Sequence, residues 1–106
     1  MELINEDLKQ VFKSNPLYSQ EGKYMEATVI VKYFFPLSNA TWLITEAEEY
    51  LNGDWLLFGY IYITEWEWEW GYVMLSELQN YSYKGIFKIE RDLYIEDNTT
   101  VGECIK

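Results

Sequence analysis

Residues 65–70 read Glu-Trp-Glu-Trp-Glu-Trp and run on into Gly71-Tyr72-Val73-Met74-Leu75. In an extended strand, where side chains alternate between faces, Glu65, Glu67 and Glu69 share one face while Trp66, Trp68, Trp70 and Tyr72 share the other. Antiparallel pairing with the segment before it requires a turn between residues 64 and 69, where no Gly or Pro stands. The expectation is a long ribbon whose tip lies in the Glu-Trp repeat.

The rest of the chain supplies elements to pack around that ribbon. Asn5 is a helix cap, followed by Glu6 and Asp7 in a first turn and by Lys9 and Lys13 further on, matched to the helix dipole. Leu8, Val11 and Phe12 fall at i, i+3, i+4 and form one apolar stripe, and Asn15-Pro16 ends the helix. Residues 17–24 read as a loop. Residues 26–35, β-branched and aromatic and stopped by Pro36, read as a first strand, and residues 41–45 as a second. The turn signal Asn52-Gly53-Asp54 opens a third, residues 55–63, expected at the centre of the sheet. Ser76-Glu77-Leu78-Gln79 fits a capping box over a single helical turn, and residues 89–95 a last strand. The fold class is α+β: an N-terminal helix packed on an antiparallel β-sheet of about five strands, with one long acidic and aromatic ribbon and a short helical turn after it.

Length and composition narrow the chemistry. One hundred and six residues make a single domain, 1–106, with one modest core. Eight Lys plus Arg against 18 Asp plus Glu give a net charge of -10, which disfavours a direct grip on a phosphate backbone. There is no histidine and one cysteine, so Ser-His-Asp and Cys-His catalysis and multi-ligand zinc sites are excluded. With 49% apolar and 19% aromatic residues the chain nevertheless has ample surface to bury. The first eight residues carry three acids and neither a basic nor an apolar leader region, and Cys104 stands alone in a polar tail; both point to the reducing cytosol. No run of 18 apolar residues exists, so a membrane partner is not expected.

Several phrases together resemble one family: Leu17-Tyr18-Ser19-Gln20-Glu21-Gly22-Lys23, Val31-Lys32-Tyr33-Phe34 with Pro36, Trp42-Leu43-Ile44-Thr45-Glu46, Phe58-Gly59, Gly71-Tyr72, Leu75-Ser76-Glu77-Leu78 and Ile89-Glu90-Arg91-Asp92-Leu93-Tyr94. They are similar to an uncharacterised domain of unknown function carried by bacterial plasmids, integrative elements and phage. The likeness runs from about Leu8 to Glu96. It implies a role in mobile-element biology, sometimes beside antirestriction-type modules, and no reaction or catalytic residues. The chain departs from that pattern at residues 65–70, where the family's stretch is shorter and poorer in tryptophan.

The charge map marks the candidate site. Residues 33–83 hold eight acids (Glu46, Glu48, Glu49, Asp54, Glu65, Glu67, Glu69, Glu77) and no Lys or Arg. Carboxylates at i, i+2, i+4 on a strand lie about 6.8 Å apart, a spacing that can stand in for a line of phosphates in a basic groove. The alternative is that these acids only solubilise an aromatic-rich domain or shield an edge strand. The indoles are open between an anchoring strip at an interface and core packed on the stripe of Leu8, Val11 and Phe12; a base-stacking platform is the third option, though such platforms come with cationic grooves. Arg91 reads as an ion-pair partner of Glu46, Glu48 or another distant acid, or as an anion clamp. Carboxylate pairs such as Glu90 with Asp92, or Glu48 with Glu49, are a weak signal for acid-base catalysis, and the acids around Asn52-Gly53 do not have EF-hand spacing. Gly22, Gly53, Gly59 and Gly71 form no phosphate-binding fingerprint and read as turn or close-packing positions.

The resulting expectation is a small cytosolic mobile-element protein that inhibits a host nucleic-acid-handling defence enzyme, of the anti-CRISPR or antirestriction type, as a nucleic-acid mimic. The partner-binding residues are Glu65, Trp66, Glu67, Trp68, Glu69, Glu46, Glu48, Glu49 and Asp54. The partner is a basic protein, a nuclease or another nucleic-acid-binding enzyme. No catalytic residue, cofactor, metal or direct nucleic-acid contact is expected, and an exposed sheet edge leaves a homodimer open. The other reading is an accessory interaction domain of the element, without inhibitory activity.

Overall fold

The computed structural model describes residues 2–64 and 67–105. Its first element is helix α1 (Glu6–Lys13), started as the local residues dictate: the Leu8 N–H donates to Asn5 Oδ1 at 2.8 Å. Leu8 and Phe12 are buried, and the Phe12 ring meets Trp55 edge-on at 5.2 Å. Val11, expected in the same stripe, is 38% exposed and lies at its margin.

The sheet has five antiparallel strands in the order β4-β3-β2-β1-β7: β1 (Val31–Phe34), β2 (Thr41–Glu49), β3 (Trp55–Tyr62), β4 (Trp68–Met74) and β7 (Glu90–Arg91). The central strand is β2, rather than β3 as expected. Residues 42–47 are all buried, the mark of a strand covered on both faces, whereas β3 alternates between buried and half-buried side chains. The ribbon is present as β3–β4, paired from Leu56 with Met74 to Tyr62 with Trp68. Glu65 and Trp66 lie outside the described residues.

One face of the sheet carries α1, the helix α2 (Leu75–Asn80) and the larger core, which includes Val31, Tyr33, Ile44, Trp55 and Leu57. Burying each such side chain is worth about 1.5–3 kcal/mol. The opposite face carries a smaller core of Ala27, Val29, Leu43 and Val101, against which Tyr60, Trp68 and Trp70 lie.

The first strand begins later than its β-branched run suggests. Residues 24–26 form a 3-10 turn (Tyr24–Glu26), and the backbone after it bonds to the distant C-terminal segment: Val29 N–H to Thr99 O at 2.8 Å and Val101 N–H to Ala27 O at 2.9 Å. That segment leads into α3 (Val101–Cys104), capped reciprocally by Thr100 and Glu103, which the sequence reading did not anticipate. The strand expected over residues 89–95 is only β7. Between α2 and β7 a two-stranded hairpin, β5 (Ser82–Tyr83) and β6 (Phe87–Lys88), turns at Lys84 and Gly85, both at positive φ. Among the described residues no helix is long and apolar enough to cross a membrane.

A β-bulge interrupts β2–β3: Ile44 faces Gly59 and Glu46 faces Phe58, leaving Thr45 as the extra residue. Gly59 is required there, because a Cβ would overlap the Leu43 carbonyl oxygen and come within 2.8 Å of the Ile44 Cα. Gly59→Ala is therefore expected to cost about 3 kcal/mol of stability, read as a lower urea midpoint. An unchanged midpoint would contradict the bulge.

Candidate functional site

The bulge decides what the second face contains. Leu43 points to that face, so uninterrupted alternation would send residue 45 there and Glu46 toward α1; the extra residue reverses this. Glu46, Phe58 and Tyr72 consequently form a row across three strands, and Leu43, Tyr60 and Trp70 form the next. Six rings interleave along β3 and β4 in the order Tyr62, Trp68, Tyr60, Trp70, Phe58, Tyr72, with successive centroids 4.7 to 5.7 Å apart. Such pairs contribute about 0.5–1.5 kcal/mol each beyond the area they bury.

Glu46 is 4% exposed, and amides satisfy its carboxylate: Tyr18 N–H donates to Oε1 at 2.8 Å and Gln20 N–H to Oε2 at 2.9 Å. Gln20 is itself buried, and its side chain imitates a strand. Its Nε2 donates to Thr28 O and Thr45 O, both at 2.8 Å, while its Oε1 accepts from Thr28 N–H at 2.6 Å. Every strong hydrogen-bonding group of that amide is used. The loop of residues 17–28 is thus sewn onto the bulge, with Tyr18 and Tyr24 held at positive φ (72° and 48°), a region that non-glycine residues seldom adopt.

Between this loop and the ring ladder lies a cleft of about 260 Å³, walled by Tyr18, Tyr24, Phe58, Trp70 and Tyr72, with Glu46 in its lining. Tyr24 stands edge-on to Trp70 at 6.3 Å. Desolvation chiefly, then the Tyr18 phenol and the Glu46 carboxylate, push the Tyr72 phenol above its ordinary value.

The expected partner-binding residues are not gathered in one place. Glu69 on β4 and Glu67 just before it are exposed and line one shallow groove with Ile61, Ile63 and Gly71, while Trp68 lies on the other side of the sheet with the ladder. Trp68 and Trp70 do not meet α1, which occupies the opposite face of the sheet; they are half-buried against the smaller core. Glu48 and Glu49 are exposed at the far end of β2–β3, about 17 and 20 Å from Glu69 along the strand direction, since they pair with Leu56 and Trp55 while Glu69 pairs with Ile61. Arg91 sits on β7 beside Tyr33, and the Glu46 oxygens go to loop amides instead.

Asp54 has a local task. It accepts from Trp55 N–H at 2.8 Å, from Ser76 N–H at 3.0 Å and from the Ser76 hydroxyl at 2.5 Å, so it ties the β2–β3 turn to the first turn of α2. The capping box expected from Ser76 is accordingly different: Ser76 lies inside the helix and serves Asp54, while Glu77 reaches back to Met74 N–H at 3.0 Å. Among the described residues no group of three or more His, Cys, Asp or Glu could hold a metal ion.

The loop and ladder residues Tyr18, Gln20, Tyr24, Phe58 and Tyr72 were not among the expected site residues. Their signals were the alternation of Phe58, Tyr60 and Tyr62 in phase with Trp68 and Trp70, and the isolated Gly59, which inside a strand marks a bulge.

A family model described as protein of unknown function (DUF2958) matches residues 3–106, and the chain belongs to that family. No curated protein and no solved structure matches it.

Two outcomes check the site's construction. Glu46→Gln sets an amide NH₂ against a donating N–H and is expected to cost about 2 kcal/mol, with faster hydrogen exchange at Tyr18 or Gln20. Burial, the largest influence on Asp54, raises its pKa, but the Ser76 hydroxyl and the N–H groups of Trp55 and Ser76 together hold it below the ordinary value. A carboxyl lowered on folding contributes stability that is full above its unfolded pKa and is lost as pH falls through the folded one. Asp54→Asn should therefore lower Tm at neutral pH, and the gap to the parent should close in acid below the ordinary carboxylate range.

Proposed function

We propose that this chain is a binding protein rather than an enzyme. In this reading it acts in the cytosol for a phage or plasmid and inhibits a host nucleic-acid-handling defence enzyme of the restriction or CRISPR type. The exposed acids Glu67, just before β4, and Glu69, on it, carry the reading, within a 51-residue stretch, 33–83, that lacks any Lys or Arg. Two exposed carboxylates two residues apart at the start of a paired strand offer a basic groove what successive phosphates offer it. Half-exposed rings on the other side of the same hairpin supply apolar anchoring area at little conformational cost.

One observation favours a second reading. Among the described residues β4 is one of the two edge strands of the sheet, and charges on an edge strand suppress pairing with another chain. In that case the acids are protective, and the domain is an accessory interaction module of the element.

The two readings separate on competition. A basic host nuclease captured by the immobilised protein should be released by rising salt and by excess duplex DNA, and Glu67→Gln/Glu69→Gln should fail to capture it while keeping the parent Tm. Capture that withstands salt and DNA, or that the double variant retains, overturns mimicry in favour of the accessory reading.

A further inference from the structure

The cleft beside Glu46 has a chemistry of its own. Its volume, about 260 Å³, lies below the usual range of small-molecule pockets and suits one side-chain head group. Five aromatic side chains, Tyr18, Tyr24, Phe58, Trp70 and Tyr72, line it, and ring faces carry negative potential. Glu46 and Glu21 are its two charged lining residues, and no Lys or Arg lines it. The partners of Glu46 are two amide N–H groups rather than a cation, so they hold the carboxylate in place without neutralising it.

We infer that this cleft receives one arginine side chain of a basic partner protein, its guanidinium stacked among Tyr24, Phe58 and Trp70 and charge-paired with Glu46. The source of the arginine rests on the docking reading above; the cleft's preference for a guanidinium does not. Arginine suits the site better than lysine, because a planar, weakly hydrated cation stacks on rings and loses less hydration when it enters an aromatic slot.

The experiment is a titration of the full chain, followed by two-dimensional NMR, with three probes: N-acetyl-arginine amide, the neutral isostere N-acetyl-citrulline amide, and tetramethylammonium. The arginine amide should produce saturable shifts of the Tyr18 and Gln20 backbone amides and the Trp70 indole N–H, and the citrulline amide should produce none. Tyr24→Asn removes one wall from a residue that is 67% exposed, and Asn tolerates the positive φ at that position. It should weaken arginine-amide binding about tenfold without lowering Tm.

Equal binding of the citrulline amide, or no saturable shift below about 100 mM arginine amide, overturns the inference. Tighter binding of tetramethylammonium overturns it in favour of a quaternary ammonium ligand. Glu67→Gln/Glu69→Gln separates the two proposals, because it should leave arginine-amide binding intact. If the parent captures a basic partner yet binds no arginine amide, the cleft assignment falls alone. If it binds the amide and captures no basic partner, the docking reading falls alone.

Discussion

A carboxylate held by two amides organises the second face of this sheet. Moving a charged group out of water is costly unless hydrogen bonds replace its hydration, and Tyr18 and Gln20 provide them at 2.8 and 2.9 Å. The same two bonds fix the course of the loop, which in turn lets the Gln20 side chain bridge Thr28 and Thr45. Removing the acceptor would leave two donors facing the interior, so loop and bulge hold each other in place. Gly59 makes this possible by letting the strands approach where Thr45 is squeezed out of register.

The two faces of the sheet solve different problems. On the helix side, burial is deep and the contacts are those of an ordinary core, with Phe12, Tyr33, Ile44 and Leu57 at 0% exposure. On the other side the rings of β3 and β4 are only half covered, and they stabilise the hairpin chiefly by touching one another across the strands. A hairpin held together by ring stacking can stay ordered while presenting aromatic surface, which a strand relying on full burial cannot do.

Local signals in the sequence carried much of this. The Asn5 cap, the breaks at Asn15-Pro16 and Pro36, the Asn52-Gly53-Asp54 turn and the period-two ribbon all lie where neighbouring residues determine them. What escaped depended on distant partners. The burial of Glu46 follows from a one-residue register shift that no composition rule marks except Gly59. The late start of β1 follows from backbone bonds to Thr99 and Val101. Asp54 reads as one more acid in a charged stretch until Ser76, far along the chain, is found beside it. The site was legible as an alternation of acids and indoles, but which carboxylate faces which ring is set by the bulge.

The bridge between Thr28 and Thr100 has a consequence for order and timing. It joins segments from opposite ends of the chain, so its loop-closure entropy must be met late, after the local hairpins β2–β3 and β3–β4 have formed. The segment it secures also forms one wall of the cleft and packs few buried side chains of its own. Such a unit opens at a lower free energy than the sheet beneath it. Opening of that unit would reach the mouth of the cleft before its floor, because the ring ladder is held separately across β3 and β4.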